Sequence, residues 1–162
     1  MTPPSERPCA PVRTHVLLAG ACLLAACLAP GPAGATLGEG ATTVDSDLAT
    51  LRAHRSIIRA AAYSVHQLYI SGGTVVHEYV NGANQVFAVT WSGPSIPDLQ
   101  PLLGVHFARF SAAAKANGRS RRPVTVQQPD LVIHTAGRTR AFSGIAYLPA
   151  QVPAGVSISE IR

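Results

Sequence analysis

Tyr63-Ser64-Val65-His66-Gln67-Leu68-Tyr69-Ile70, Ser71-Gly72-Gly73, Thr74-Val75-Val76-His77-Glu78-Tyr79-Val80, Asn81-Gly82-Ala83-Asn84 and Gln85-Val86-Phe87-Ala88-Val89-Thr90-Trp91 follow one another without interruption. The three longer runs are rich in β-branched and aromatic residues. The two short ones are turn formers that tolerate positive φ. Three short strands joined by tight turns make an antiparallel meander. Pairing Ile70 with Thr74 and Val80 with Gln85 puts Leu68, Ile70, Val76, Phe87, Val89 and Trp91 on one face, because strand side chains alternate sides. That face is the expected core. In this register His66 stands opposite Glu78, and His77 opposite Gln67.

Downstream, Ser92-Gly93-Pro94 ends the meander and Pro97 or Asp98 opens a helix, where a proline in the first turn costs little. Leu99, Leu103, Phe107, Phe110 and Ala114 trace one stripe, so a helix over 98–116 should lie across the sheet. Val124 to Gln127 reads as a short strand. Asp130 to Thr135 and Arg138 to Tyr147 read as a hairpin around Ala136-Gly137. Ser157-Ile158-Ser159-Glu160 fits a capping box and predicts a short helical turn. Upstream, Val44, Leu48, Leu51 and Ile58 recur near helical spacing, which predicts an amphipathic helix over 44–60. The expected architecture is α+β: a three-stranded meander plus a later hairpin, with an N-terminal and a central helix packed on the antiparallel sheet.

The start of the chain reads differently. Arg7, Arg13 and His15 precede the apolar run Val16 to Leu28, which is too short for a stable membrane span and suits a signal-peptide h-region. Pro30, Gly31 and Pro32 break the helix, and Ala33-Gly34-Ala35 is a small-x-small site. Residues 1–35 are therefore expected to be a signal peptide cleaved before Thr36, 36–43 a flexible Gly-containing lead-in, and 44–162 a single domain. Leu24-Ala25-Ala26-Cys27 also has the form of a lipobox, which would acylate Cys27 and give an outer-membrane lipoprotein. The expected location is periplasmic or secreted.

The chain of 162 residues carries 13 Lys+Arg against 8 Asp+Glu, a formal charge of +5, and only 13% charged residues against 47% hydrophobic. Intrinsic disorder needs the opposite balance. The length excludes a large multidomain enzyme. All 3 cysteines precede Ala35, so no disulfide framework is available to the remainder.

Candidate chemistry is sparse. His54, His66, His77, His106 and His134 show no paired metal-ligand spacing, and a zinc site needs three or four converging ligands. No metal or other cofactor is expected. There is no Gly-x-Ser-x-Gly elbow. Leu37-Gly38-Glu39-Gly40-Ala41 is not preceded by a strand and fails as a dinucleotide loop. Asp98 reads as a helix cap and Asp130 as a turn residue. Tyr69, His77 and Tyr79 share the sheet face opposite the core, and Ser92 ends a strand nearby. These four form the candidate partner or ligand surface. Lys115, Arg119, Arg121 and Arg122 form a basic loop that could contact an anionic surface, although cations after a helix C-terminus are favoured anyway. The loop lacks the aromatics that nucleic-acid binding wants, so no nucleic acid is expected. Membrane contact is expected only through a lipidated Cys27 or through this loop.

Several fragments together carry a resemblance. They are Gly72-Gly73-Thr74-Val75-Val76, Glu78-Tyr79-Val80, Val86-Phe87-Ala88-Val89, Trp91, Gly93-Pro94, Pro97-Asp98-Leu99, Leu102-Leu103-Gly104 and Phe107. Further on come Asp130-Leu131-Val132, Arg140-Ala141-Phe142, Ala146-Tyr147 and Pro153-Ala154-Gly155-Val156. In this order the chain from Leu37 to Arg162 resembles a family of short exported proteobacterial proteins, catalogued as domain of unknown function 2844. The resemblance implies export and a shared fold, and brings no catalytic residues. The expected function is that of a non-enzymatic cell-envelope module that binds an envelope protein or ligand or serves in assembly. The alternatives are a periplasmic enzyme of unrecognised type using Ser92 or His77, and the lipoprotein acylated at Cys27.

Overall fold

The computed structural model describes residues 37–43, 45, 51–118 and 123–161. The signal-peptide and Cys27 readings, and most of the region expected to open the N-terminal helix, lie outside them.

Seven strands form one antiparallel sheet: β1 (His54–Arg59), β2 (Tyr63–Ile70), β3 (Thr74–Asn81), β4 (Val86–Gly93), β5 (Thr125–Gln127), β6 (Val132–Arg138) and β7 (Ala141–Tyr147). Their spatial order is β1-β2-β3-β4-β7-β6-β5. The connection from β4 to β5 carries the helical region: α1 (Leu99–Leu103), a 3-10 turn (Gly104–His106) and α2 (Phe107–Ala116).

This corrects the expected α+β layout. The sheet has seven strands: β1 precedes the meander, β5 flanks the hairpin, and the two parts join where β4 pairs with β7 (Val89 with Ala146, Trp91 with Gly144). Asp45 and Leu51 are helical, but the expected helix does not run on to residue 60. His54–Arg59 is instead an edge strand paired to β2, from His54 with Tyr69 to Arg59 with Ser64. All six of its residues are exposed. Its sequence therefore shows no apolar alternation, and Ile58, at helical spacing from the helical Leu51, falls in the strand. Tertiary pairing, not local pattern, selects the strand.

The helical region covers one face of the sheet. Leu68, Val76, Val80, Val86, Val89, Trp91, Ile133 and Ala146 from the strands pack there with Leu99, Leu102 and Leu103, and Phe107 and Phe110 pack against them. Asp98 starts α1, its Oδ1 accepting the Gln100 amide at 2.9 Å. Leu37 is buried in this core at 1% exposure. Its amide donates to the Leu102 carbonyl, that of Gly38 donates to Val86, and Val86 donates back to Glu39. The lead-in expected to be loose is thus, from Leu37 to Thr43, tied to the start of β4.

Ile70 pairs with Thr74, and His66 with Glu78, as the sequence predicts. The β3–β4 register differs. Val80 pairs with Val86 but Tyr79 with Ala88, leaving Phe87 as the extra residue of a bulge. The bulge resets the alternation, so Val86 and Val89 both reach the helix-covered face. Phe87 is turned to the other face, where it packs with Tyr79, Ala88 and Ile161. The expected placement of Phe87 among the Val89 and Trp91 side chains is corrected accordingly. The hairpin also turns later than expected: β6 and β7 pair out to Arg138 with Ala141. The tip is Thr139-Arg140, with Arg140 at φ 66°.

Candidate functional site

The face away from the helices is partly covered by the chain's own C-terminal segment. Val152, Val156, Ile158 and Ile161 pack over Tyr63, Tyr79, Phe87, Ile145 and Tyr147. We call this segment the strap. Ser157 initiates its 3-10 turn (Ile158–Glu160), the serine side chain accepting from the Ser159 amide. Beneath it Tyr63 and Phe87 meet edge to face at 6.2 Å, and Tyr79 lies 5.9 Å from Tyr63.

Among the described residues, the strap leaves the rest of this face open. Register places Gln67, His77, Thr90, Ile145, His134 and Thr125 in one row across the sheet, and Tyr69, Val75, Ser92, Ser143 and Ala136 in the next. Where these rows meet the strap lies a groove of about 510 Å³, with Thr90, Ser92, His134, Ser143 and Ile145 on its floor and Ile158, Ser159 and Ile161 on its strap side. The hydroxyls stand on paired strands, so their positions are fixed by the ladder. His134 Nδ1 lies 3.1 Å from the Thr125 hydroxyl, which orients the ring.

The candidate residues separate under this geometry. Ser92 lies in the groove and is exposed. Tyr69 is on the same face, 46% exposed, and its hydroxyl donates to Gln67 Oε1 at 3.0 Å. His77 is half-buried beside them and meets Tyr79 edge to face at 6.4 Å. Tyr79 itself is only 3% exposed. It supports the surface from beneath and is no part of it. Lys115 is exposed at the end of α2. Arg119, Arg121 and Arg122 lie outside the described residues. His134, Ser143 and Thr90 were not singled out by the sequence, since no motif links them. Only the β4–β7–β6 order, which joins distant segments, brings them to Ser92.

Chemically the groove can donate and accept hydrogen bonds and bury an apolar edge against Ile145 and Ile158. Ser92 and His134 do not form a nucleophile–base pair. Strand β7 runs between them, which separates their backbones by about 10 Å at normal strand spacing. None of the described residues lining the groove is acidic. Among the described residues, no three His, Cys, Asp or Glu side chains converge to hold a metal.

Two titratable side chains lie on the helix-covered side. His66 and Glu78, opposite each other on β2 and β3, are 8% and 0% exposed. Packing encloses both members of this cross-strand pair. Burial, and then the Arg55 charge, hold the His66 pKa below the ordinary imidazole value, with Asp45 opposing. His106 is lowered likewise by burial and by Arg109. Arg109 pins α2 to the loop before β6, its Nη1 lying 2.6 Å from Asp130 and 3.0 Å from Gln128. That hydrogen bond is the main cause holding the Asp130 carboxyl below its usual range.

Comparison with known proteins agrees with the ordered fragments. The chain matches, over residues 33–161, the family described as Protein of unknown function (DUF2844), and it belongs to that family. Neither a curated protein nor a solved structure matches it.

Proposed function

We propose that this protein is an exported cell-envelope module whose work is binding, and that the groove between the strap and the β4–β7–β6 strands is where a partner or ligand docks. The observation that carries the reading is the groove itself. Hydroxyls and one imidazole sit on rigid paired strands, an apolar strap forms one wall, and no acid–base or nucleophile pair is assembled. Concave sites of a few hundred Å³ with a few fixed polar groups are the usual form of a binding site.

Export rests on the leader, from Arg7 through the Ala33-Gly34-Ala35 site. The intact mass of the mature protein is expected to correspond to a chain starting at Thr36. A diacylglyceryl-modified Cys27 would replace this reading with the lipoprotein.

Binding is tested by filling the groove. Mature wild-type protein immobilised in periplasmic extract is compared with Ser92→Trp, Ser159→Trp and Ala112→Trp, the last on the outer side of α2. The reading predicts a captured species that both groove variants lose and Ala112→Trp keeps. Equal capture by all three folded variants contradicts it.

A further inference from the structure

Strand β1 stands at one end of the sheet order, so only one of its two sides is paired. The turn to β2 shows which backbone groups the other side carries. Across that turn the Ala60 amide donates to the Tyr63 carbonyl at 2.9 Å. Hydrogen-bonded and non-bonded pairs alternate along an antiparallel ladder. In the observed register the bonded pairs are therefore Ile58 with Val65, Ser56 with Gln67 and His54 with Tyr69. The N–H and C=O groups of Arg55, Ile57 and Arg59 point away from β2, to the edge. Of the devices that protect an edge from pairing, β1 has charge alone. It holds no proline, and its register with β2 runs from end to end without a bulge. Among the described residues, no segment pairs with its outer side. Ile57 and Ile58 are 44% and 50% exposed.

An edge of this kind accepts an extended chain as a further strand, and the main-chain hydrogen bonds supply the attraction. Charge then decides which chain. Arg52, His54, Arg55 and Arg59 are all exposed here. Arg55 is paired to Asp45, its Nη1 2.6 Å from Oδ1, whereas Arg59 enters neither of the ion pairs among the described residues. A second copy of β1 would bring the same cations to the edge, and like charges on paired strands repel. A carboxylate facing Arg59 is attracted instead. Side chains two apart on a strand share a face, as Ile57 and Arg59 do. We propose that the β1 edge takes up an extended acidic segment of another protein as an added antiparallel strand. That segment sets an apolar residue beside Ile57 and, two positions earlier in its own sequence, a carboxylate beside Arg59. The surface is separate from the strap groove, which no β1 residue lines.

The test titrates the mature protein with a short peptide and follows backbone amides by NMR. The peptide is threonine throughout, except for a central valine and a glutamate two positions before it. Exchange of the Arg55, Ile57 and Arg59 amides should slow by about threefold or more, while the amides of His54, Ser56 and Ile58, already bonded to β2, change little. The same peptide with lysine for glutamate should bind about tenfold more weakly. Arg59→Glu should reverse that preference. Ile57→Pro removes one outward N–H at an edge position that tolerates proline, and should abolish the protection at Arg55 and Arg59. If that variant fails to fold, N-methylation of the peptide's valine removes a bond of the same pair from the other side and should have the same effect. Ser92→Trp should leave the titration unchanged, so failure here is separable from failure of the strap groove. Protection at none of the three amides, or equal protection by both peptides, overturns the proposal. Protection that arises without peptide and grows with protein concentration assigns the edge to a second copy and overturns it too.

Discussion

Gly144 and Leu37 show how much rests on single side chains. The Trp91 indole occupies the space where any other residue at position 144 would place its Cβ. Gly144→Ala must displace a core aromatic, and overpacking of this kind costs about 1–3 kcal/mol. A lower urea midpoint with an unchanged slope is the expected reading. Leu37 is almost fully enclosed by the helix-covered core, so Leu37→Ala is expected to cost about 2–5 kcal/mol. A loss under 0.5 kcal/mol would return residues 37–43 to the status of a lead-in. The two shifted histidines set a pH dependence. His66 and His106 are held below the ordinary value of 6.5 in the folded state. Below that value the unfolded chain binds protons that the folded chain refuses. Stability is therefore full above 6.5 and falls as pH drops through it. Urea midpoints at pH 7.5 and 5.5 should differ in that direction, and His106→Gln should shrink the difference.

At the scale of elements, the strands with strong alternation or tight turns were legible and the others were not. Residues 63–91 declared three strands through their β-branched runs and glycine turns. The helical region 98–116 declared itself through the Leu99, Leu103, Phe107 and Phe110 stripe. Strand β1 did not, because an edge strand exposed on all sides needs no apolar face. Only the pairing with β2 makes it a strand. The bulge at Phe87 was equally silent, since its cause is the crossing from Val80–Val86 to Tyr79–Ala88 pairing, a tertiary fact. The role of the strap was hidden too. Pro149 and Pro153 read as a linker, yet the segment returns to lay Ile158 and Ile161 on the sheet. Ile161 is only 2% exposed, so Ile161→Ala should destabilise the protein by about 2–4 kcal/mol and raise amide exchange across residues 152–161. Exchange confined to the β1 edge instead would show that the strap is held by other contacts.

The whole molecule is a sheet with two differently covered faces. Helices and Leu37 close most of one, and the strap closes part of the other. The candidate surface was partly visible in the sequence, because strand alternation alone set Tyr69 and His77 opposite the core. The groove was not, because it needs β7 to lie between β4 and β6. Segments more than 40 residues apart in sequence, at Ser92 and His134, then line one groove from adjacent rows, and no local pattern encodes that meeting. The measurement that tests the central claim most directly is site-specific photo-crosslinking in living cells. A photoreactive residue is placed at Ser92 in the strap groove or at Ala112 on the outer side of α2. The account predicts a discrete adduct from position 92, lost when Ser159→Trp is added, and none from position 112. Adducts from both positions alike, or from 112 alone, would contradict it.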